Sequence, residues 1–279
     1  MTCNQHYSAI ALSIIGLFTV FATPAAFAGA TLDKVESSHE LIVATNADYP
    51  PQAFLNENNQ LDGFDIDVAK EIGKRLGAKV TLATPGWEVM TAGKWSGRWQ
   101  IAVGSITPTK KRLEVLDFPS VYYYTPAVFA VHKNSTLQKV ADLNGKKVGV
   151  VSASTYENYL RHQLVVDAAN VPAFTYQVTP GEIRSYTDAD DLSDLAIGAG
   201  TRLDAVLQAQ PTILAAIAKG MPIRQLDTPV FYEPLAIATD KGDKEFDDKI
   251  ASIVDAMKAD GTMKQLSQKW YGSDFTSAQ

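Results

Sequence analysis

Phe64, Val68, Ile72 and Leu76 recur at every fourth position, which puts them on one stripe of a helix that Gly77 stops. The run before that stripe, "LIVATNADYPP", is an apolar strand breaking into a Pro-rich loop, and "KVTLAT" after it is a second strand. Strand, helix, strand in that order predicts an α/β layer with a parallel sheet. "WQIAVGS" adds another strand. The alternation then restarts. "ADLNGKKVGVVSASTYENYLRHQL" reads as turn, strand and helix, and "RLDAVLQAQPTILAAIA" as strand then helix. Near the end, Phe246, Ile250, Ile253 and Met257 mark one helix face, and Met263, Leu266 and Trp270 a second, shorter one.

One internal echo bears on the architecture. "YTPAVFAVHK" from Tyr124 and "YEPLAIATDK" from Tyr232 share Tyr, Pro, Ala and Lys at equal offsets. Both are apolar extended segments, and they flank the middle α/β unit. The pattern predicts two α/β lobes, each a sheet flanked by helices, joined by two hinge strands, with the second lobe inserted into the first. The expected division is 29–128 with 229–279 for lobe 1 and 129–228 for lobe 2. The alternative is that both segments are ordinary buried strands following a Pro turn. Two crossings matter because closure about them traps a ligand between lobes.

Composition changes the picture mainly at the start. "SAIALSIIGLFTVFA" is a charge-free apolar stretch followed by Pro24, and Ala26 and Ala28 form an A-x-A cleavage site before Gly29. Residues 1–28 therefore read as a cleaved signal peptide and the product as exported, although "MTCNQH" lacks the usual Lys or Arg. The chain's single cysteine, Cys3, lies in that removable piece, so no disulfide is expected in the mature chain. No later apolar run is long enough to cross a bilayer. The formal charge of −6 lies wholly beyond the leader and gives no general attraction for nucleic acid or anionic lipid.

Enzymatic and metal signatures are sparse. His39, His132 and His162 are scattered, with no H-x-x-x-H or cysteine partner, and there is no G-x-S-x-G, phosphate-loop or dinucleotide motif. No cofactor or metal is expected. The segment "GSITPTKKRLEVLDF" (Gly104–Phe118) is more informative. A strand ending in Gly-Ser presents hydroxyls and N–H groups at the edge where α/β folds place ligands. Arg112, five residues after Thr107, is spaced to fold back and grip a carboxylate two-pronged. The competing reading is a solvated Lys-Lys-Arg patch.

The motifs taken together resemble one family. "LIVATNADYPPQAFLNENNQLDGFDIDVAKEIGKRLG", "GSITPTKKRLEVLDF", "DLNGKKVGVVSASTYENYL" and "ADGTMKQLSQKWYG" match, in order, the sequence pattern of the family 3 extracellular solute-binding proteins, the amino-acid receptors of bacterial ABC importers. The resemblance implies a type II periplasmic-binding-protein fold and a periplasmic monomer. Its partners would be a small carboxylate or amino-acid ligand and an inner-membrane ABC permease. It places Arg112 at the carboxylate-binding position, assisted by Thr107, and Ser105 where a backbone carbonyl meets the ligand ammonium. Tyr49 and Trp87 fall where the aromatic walls lie, and Ser154 and Thr155 at the Thr pair of the second lobe. Ser154 with Glu157 is also a capping box, which needs no ligand.

Two departures bear on the ligand. The family usually carries an Asp for the α-ammonium where this chain has Ala209 in "AVLQAQP", and Asn46 stands where many members have Asp. A buried ammonium without a carboxylate is costly. Gln208, Gln210 or Glu233 are the candidate substitutes, or the ligand lacks an ammonium. With both acids missing, basic amino acids become poor candidates. Uncharged polar amino acids are the first expectation, derivatives and other organic acids the second. The alternative is an enzyme on the same scaffold, such as a cyclohexadienyl (prephenate/arogenate) dehydratase. That reading needs a general acid in the cleft, which Gln208, Ala209 and Gln210 do not offer.

Overall fold

The apolar run after Glu40 pairs in parallel with both of its neighbours in a mixed sheet, as its alternation with the Phe64 stripe predicts for this part of the chain. The structure is a computed structural model that describes residues 1–2, 29–169, 171–187, 190–226 and 228–277. The expected leader, apart from its first two residues, lies outside the described residues, and Cys3 with it. A helix, α1 (Ala30–Ser38), precedes the first strand and buries only Leu32 and Val35, too thin a stripe to stand out in the sequence. It is pinned where the Gly29 and Thr31 N–H groups donate to Asp243, at 3.0 and 2.9 Å.

β1 (Glu40–Ala44) follows, then a small antiparallel sheet of β2 (Asp48–Tyr49), β3 (Ala53–Leu55) and β4 (Leu61–Asp62). α2 (Phe64–Leu76) buries Phe64, Val68 and Ile72 and ends at Gly77, whose φ of 68° is one that glycine adopts freely. β5 (Lys79–Ala83) pairs with β1 in parallel, from Glu40 opposite Lys79 to Ala44 opposite Ala83. After α3 (Trp87–Thr91), β6 (Ile101–Ile106) flanks β1 on its other side.

β7 (Leu116–His132) then runs for 17 residues. The second α/β unit comprises β8 (Lys147–Val151), α4 (Thr155–Leu160), β9 (Glu182–Tyr186), α5 (Asp191–Ala196), β10 (Ala205–Ala209), α6 (Gln210–Ala218) and β11 (Ile223–Gln225). β12 (Phe231–Asp240) returns the chain to the first unit, which α7 (Lys244–Ala259) and α8 (Thr262–Tyr271) complete. The strand order is β5-β1-β6-β12-β7-β10-β8-β9, with β11 also on β7. The two lobes, each a part of the sheet flanked by helices as expected, thus join through the hinge strands into one continuous strand order. The reason is the length of β7, which pairs with β12 from Leu116 to Ala127 and with β10 from Ala127 to Val131. The two echo segments lie against each other, antiparallel, with Tyr232 opposite Pro126, Glu233 opposite Thr125 and Pro234 opposite Tyr124.

Each lobe packs both faces of its part of the sheet. In the first, Val68, Ile72, Phe246, Ile250 and Met257 cover one face, and Met90, Trp95 and Trp99 the other. In the second, Tyr156, Tyr159 and Phe231 cover one face, and Leu192, Leu195 and Ile213 the other.

A buried polar network lies directly under the end of β6. Asp65, at the start of α2, is fully buried and accepts hydrogen bonds from Tyr122 at 2.6 Å and the Ser105 hydroxyl at 2.8 Å. Tyr122 in turn accepts from the Ser105 N–H at 3.0 Å. Ser105 has a φ of 56°, and the pairing of β6 with β12 slips between Ile106 and Ala102. This is a bulge, which turns the chain at the strand end. The network offsets the cost of left-handed backbone at a non-glycine, about 1–3 kcal/mol.

Two outcomes follow from this architecture. Gly63, at φ 129°, sits where an added Cβ would fall 2.2 Å from the Gln52 carbonyl oxygen. Gly63→Ala is expected to lower stability by about 2 kcal/mol or more in denaturant unfolding. Burial pushes the Asp65 carboxyl up to about 7, against the opposing hydrogen bonds from Tyr122 and Ser105. A carboxyl raised in the folded state favours folding at acid pH, and that contribution is lost as pH rises through 7. Between pH 6 and 8 the protein should lose ~1 kcal/mol that Asp65→Asn does not lose, read from paired melting curves.

Candidate functional site

The ends of β1, β6, β8 and β10 and the start of α4 face one another across a cleft between the lobes. The cleft has about 250 Å³ of open volume. Its lining includes Asn46, Tyr49, Trp87, Ser105, Thr107 and Arg112 from the first lobe, and Ser154, Thr155 and Gln208 from the second. All nine residues singled out from the sequence therefore meet at one place. Asp48, Tyr156 and Thr187, which were not among them, line it too, as does Glu233, named from the sequence only as a candidate substitute for the missing acid.

Arg112 opens a 3₁₀ turn, Arg112–Glu114, just after the Thr107–Lys111 loop. Its side chain folds back into the cleft, only 7% exposed. The Nη1 donates to the Thr107 carbonyl at 3.0 Å and Nη2 to the Ala153 carbonyl at 3.1 Å, the latter across the cleft. The guanidinium carbon lies 5.0 Å from the centroid of the Trp87 ring, a cation–π contact. Among the described residues, no carboxylate oxygen lies within ion-pair distance of it. Burial lowers its pKa to about 10, with Glu233 acting in the opposite direction. It therefore stays charged at neutral pH. Lys110 and Lys111 are exposed, so the surface-patch reading holds for them and fails for Arg112.

Glu233 is the residue sequence reasoning undervalued. It comes from β12 at the crossing, is 2% exposed, and one carboxylate oxygen accepts from two hydroxyls. One is Thr107 of the first lobe at 2.9 Å, and the other is Thr155 of the second. Burial pushes its carboxyl above the usual range, while the Thr155, Tyr156 and Thr107 hydroxyls and the Arg112 charge pull it back. The sequence signal was available in the Tyr-x-Pro echo, where Glu233 occupies the position of Thr125. Only the antiparallel crossing shows that this position faces the cleft.

The remaining residues divide by what their polar atoms already do. Asn46 donates to the Gly104 carbonyl at 3.1 Å. The Ser105 hydroxyl is taken by Asp65 and its N–H by Tyr122, which leaves its carbonyl as the part that can serve a ligand. Ser154 caps α4, accepting from the Glu157 N–H at 3.1 Å and donating to the Val151 carbonyl at 2.6 Å. Glu157 does not complete the predicted reciprocal bond; its carboxylate accepts from the Ala153 N–H instead. Tyr49 and Tyr156 meet hydroxyl to hydroxyl across the cleft at 3.2 Å. Burial raises the Tyr49 hydroxyl well above its usual range. The Trp87 Nε1 and the Gln208 Oε1 are buried without any partner among the described residues. Of the other candidate substitutes, Gln210 bonds Gln225 outside the cleft, and Ala209 packs in the second core.

The lobes meet at further points around the rim. Ser152 donates to Glu88 at 3.1 Å, Lys110 N–H to the Val165 carbonyl at 3.1 Å, and Asp167 N–H to the Pro108 carbonyl at 3.0 Å. Among the described residues no group of three or more His, Cys, Asp or Glu is placed to hold a metal ion. Nor is any helix there long and apolar enough to cross a membrane.

Comparison with known proteins bears on the family and the fold. The chain is 28% identical to the L-cystine-binding protein TcyJ of Escherichia coli K12 over 249 residues, covering 88% of this chain and 87% of that one. It is 27% identical to the L-arginine-binding protein of Pseudomonas aeruginosa over 241 residues, covering 83% and 88%. Among solved structures, an ancestral arginine-binding protein bound to glutamine superposes with a TM-score of 0.72 at 30% identity, covering 84% of this chain and 99% of that one. The ancestral amino acid-binding protein AncCDT-1, a precursor of cyclohexadienyl dehydratase, gives 0.74 at 28%, covering 87% and 100%. The family model of the bacterial extracellular solute-binding proteins, family 3, matches residues 41–273, and the chain belongs to that family.

Proposed function

We propose that the protein is a periplasmic receptor that captures a small carboxylate-bearing solute between its lobes and presents it to an inner-membrane ABC permease. An amino acid with an uncharged polar side chain, or a derivative of one, is the preferred ligand. One observation carries the reading: Arg112 is a buried guanidinium in the interlobe cleft with no carboxylate in ion-pair range among the described residues. A buried cation is costly unless paired, so the cleft is built for an anion that arrives from outside. Thr107 holds the guanidinium through its carbonyl, and Trp87 and Tyr49 wall the remaining space. In this reading lobe 1 is 29–128 with 229–279, lobe 2 is 129–228, residues 1–28 direct export and are removed, and the receptor acts as a monomer.

Side-chain preference follows from the charges at hand. Asn46 is committed to a backbone carbonyl, and Glu233, although it lines the cleft, is engaged by the Thr107 and Thr155 hydroxyls. Asp48 at the mouth is the other carboxylate lining the cleft, and it is exposed. An arginine or lysine side chain therefore finds no second buried acid. The L-cystine and glutamine named for the relatives above belong to the chemistry this cleft suits.

A second reading, a dehydratase of the cyclohexadienyl type, is favoured by one feature. The segment Gln208, Ala209 and Gln210 offers no general acid, yet Glu233 stands in the cleft with its carboxyl held above the usual range. An acid of that kind protonates a departing hydroxyl. Against it, Glu233 is engaged by the Thr107 and Thr155 hydroxyls that join the lobes.

A thermal-shift screen over amino acids and organic acids is expected to find a ligand that raises the melting temperature. With that ligand, Arg112→Ala should weaken binding by about 3 kcal/mol or more in calorimetry while the unliganded melting temperature changes little. Unchanged affinity would remove Arg112 from the site. Prephenate and arogenate should be returned unaltered after incubation; turnover that disappears in Glu233→Gln would establish the enzyme instead.

A further inference from the structure

Asp243 serves two helices at once. Its carboxylate caps α7, with Oδ1 accepting from the Phe246 N–H at 3.2 Å. It also receives the start of α1, where the Gly29 N–H donates to Oδ1 at 3.0 Å and the Thr31 N–H to Oδ2 at 2.9 Å. Burial opposes its ionisation, yet the Thr31, Phe246 and Gly29 N–H groups prevail and hold the carboxyl below its usual range. A second carboxylate stands beside the same nitrogen. Glu245 fills the space a side chain at residue 29 would take, since a Cβ built on Gly29 overlaps its Oε2. The fixed geometry around Cα then puts that oxygen within about 5 Å of the Gly29 nitrogen. Among the described residues Glu245 makes no hydrogen bond or ion pair of its own.

Two carboxylates exceed what one backbone amide requires, since a neutral N–H is satisfied by a single acceptor. They suit a cation, and the sequence supplies one. "AAFAGATLD" carries two overlapping A-x-A signals, Ala26 with Ala28 and Ala28 with Ala30, which start the mature chain at Gly29 or at Thr31. The fold discriminates between them. The Gly29 carbonyl accepts from the Asp33 N–H at 2.9 Å in the first turn of α1. A start at Thr31 would forfeit that bond and the one from Gly29 to Asp243. A start at Gly29 keeps both and turns its nitrogen from an amide into an ammonium. A free α-amine has a pKa of about 8 and is largely protonated at neutral pH. At a helix N-terminus that charge is unfavourable on its own, because the helix dipole is positive there. Asp243 and Glu245, with Asp33 in the first turn of α1, reverse the sign of its surroundings.

We infer that Asp243 and Glu245 form an acceptor site for the α-ammonium that leader removal creates at Gly29, so that processing completes the fold with an ion pair joining α1 to α7. The inference rests on the export reading and fixes the cut at the Ala28–Gly29 bond. Hydrolysis by a leader peptidase adds one water across that bond, leaving a carboxylate on Ala28 and, with both water hydrogens, an ammonium on Gly29. The neutral hydrogen bond to Asp243 becomes charge-assisted, and such bonds are roughly twice as strong. α1 carries Leu32 and Val35 into the core that Phe246 and Ile250 share, so the pair at Gly29 also secures that packing.

The test starts from the full chain, exported by a bacterial host with its own leader. The intact mass of the purified product should correspond to a chain beginning at Gly29. A first residue of Thr31, or any other, would overturn the inference while keeping export; uncut protein would remove both readings. The Gly29-initiated protein is then treated with cyanate near neutral pH, which carbamylates α-amines ahead of lysines and leaves a neutral nitrogen that still donates a hydrogen bond. Carbamylation should lower the melting temperature by about 2–4 °C in the wild type and leave that of the double variant Asp243→Asn, Glu245→Gln unmoved. The same α-amine should react about 10-fold more slowly in the wild type than in the double variant, because the ion pair retains the proton. Asn keeps the helix caps, so the double variant remains folded. Glu245→Gln alone, at an exposed position, should speed the reaction about 3-fold. A purely capping role for Asp243 would lower the variant's melting temperature without altering the cyanate rate. Equal rates, or carbamylation that leaves the wild-type melting temperature in place, would remove the ammonium site and leave the export reading standing.

Discussion

The antiparallel crossing of β7 and β12 is the constraint on which the rest of the molecule depends. Thr125 and Glu233 face each other at its centre, with Tyr124, Pro126, Tyr232 and Pro234 around them. Among the described residues, the helices before β7 and after β12 pack on one part of the sheet, and those between them on the other. A side chain placed at that crossing touches both lobes without belonging wholly to either. Glu233 does so, taking one hydroxyl from Thr107 and one from Thr155. The same geometry brings the Arg112 guanidinium against the Ala153 carbonyl at the start of α4. Contacts between the lobes therefore use atoms that also line the cleft.

Those atoms are kept in states that cost stability. Arg112 is desolvated without a close counter-ion, and the Glu233, Asp65 and Asp191 carboxyls are all raised by burial. Ser105 and Ala153 hold left-handed backbone, at φ 56° and 55°, on the two walls of the cleft. Such costs persist where surrounding packing fixes the residue and function requires it. Here the packing is local and strong. The Asp65 network under Ser105 is sealed by Phe64, Tyr122 and Tyr123 in mutual aromatic contact. The Ser154 cap fixes the turn carrying Ala153.

Residue patterning made much of this legible. The helix over Phe64–Leu76, its stop at Gly77 and the closing pair α7 and α8 follow from four-residue spacing and glycine chemistry, and the structure has them. The echo around Tyr124 and Tyr232 pointed to two crossings, and they pair. Elements with little apolar content were not legible. α1 buries two side chains, and α3 only Met90. The hinge strands were expected, but nothing local distinguishes a 17-residue strand serving two lobes from two shorter ones. At the site, sequence pointed to Arg112 and its neighbours, while Asp48, Tyr156, Asp191 and the central part of Glu233 emerged only from the assembled cleft.

Local order in the chain, by itself, determined which segments are helix or strand, that two α/β units exist, and that a Thr-x-x-x-x-Arg loop follows the β6 strand. These depend on neighbours within a few residues, where periodicity, capping and turn chemistry act. Which charges are buried together at the cleft was decided by tertiary structure alone. Arg112 and Glu233 are separated by more than a hundred positions, and Gln208 and Asp191, whose side chains bond each other, lie on different elements. Whether such groups are solvated or buried, and which oxygen remains unpaired, depends on packing between lobes that no local pattern encodes.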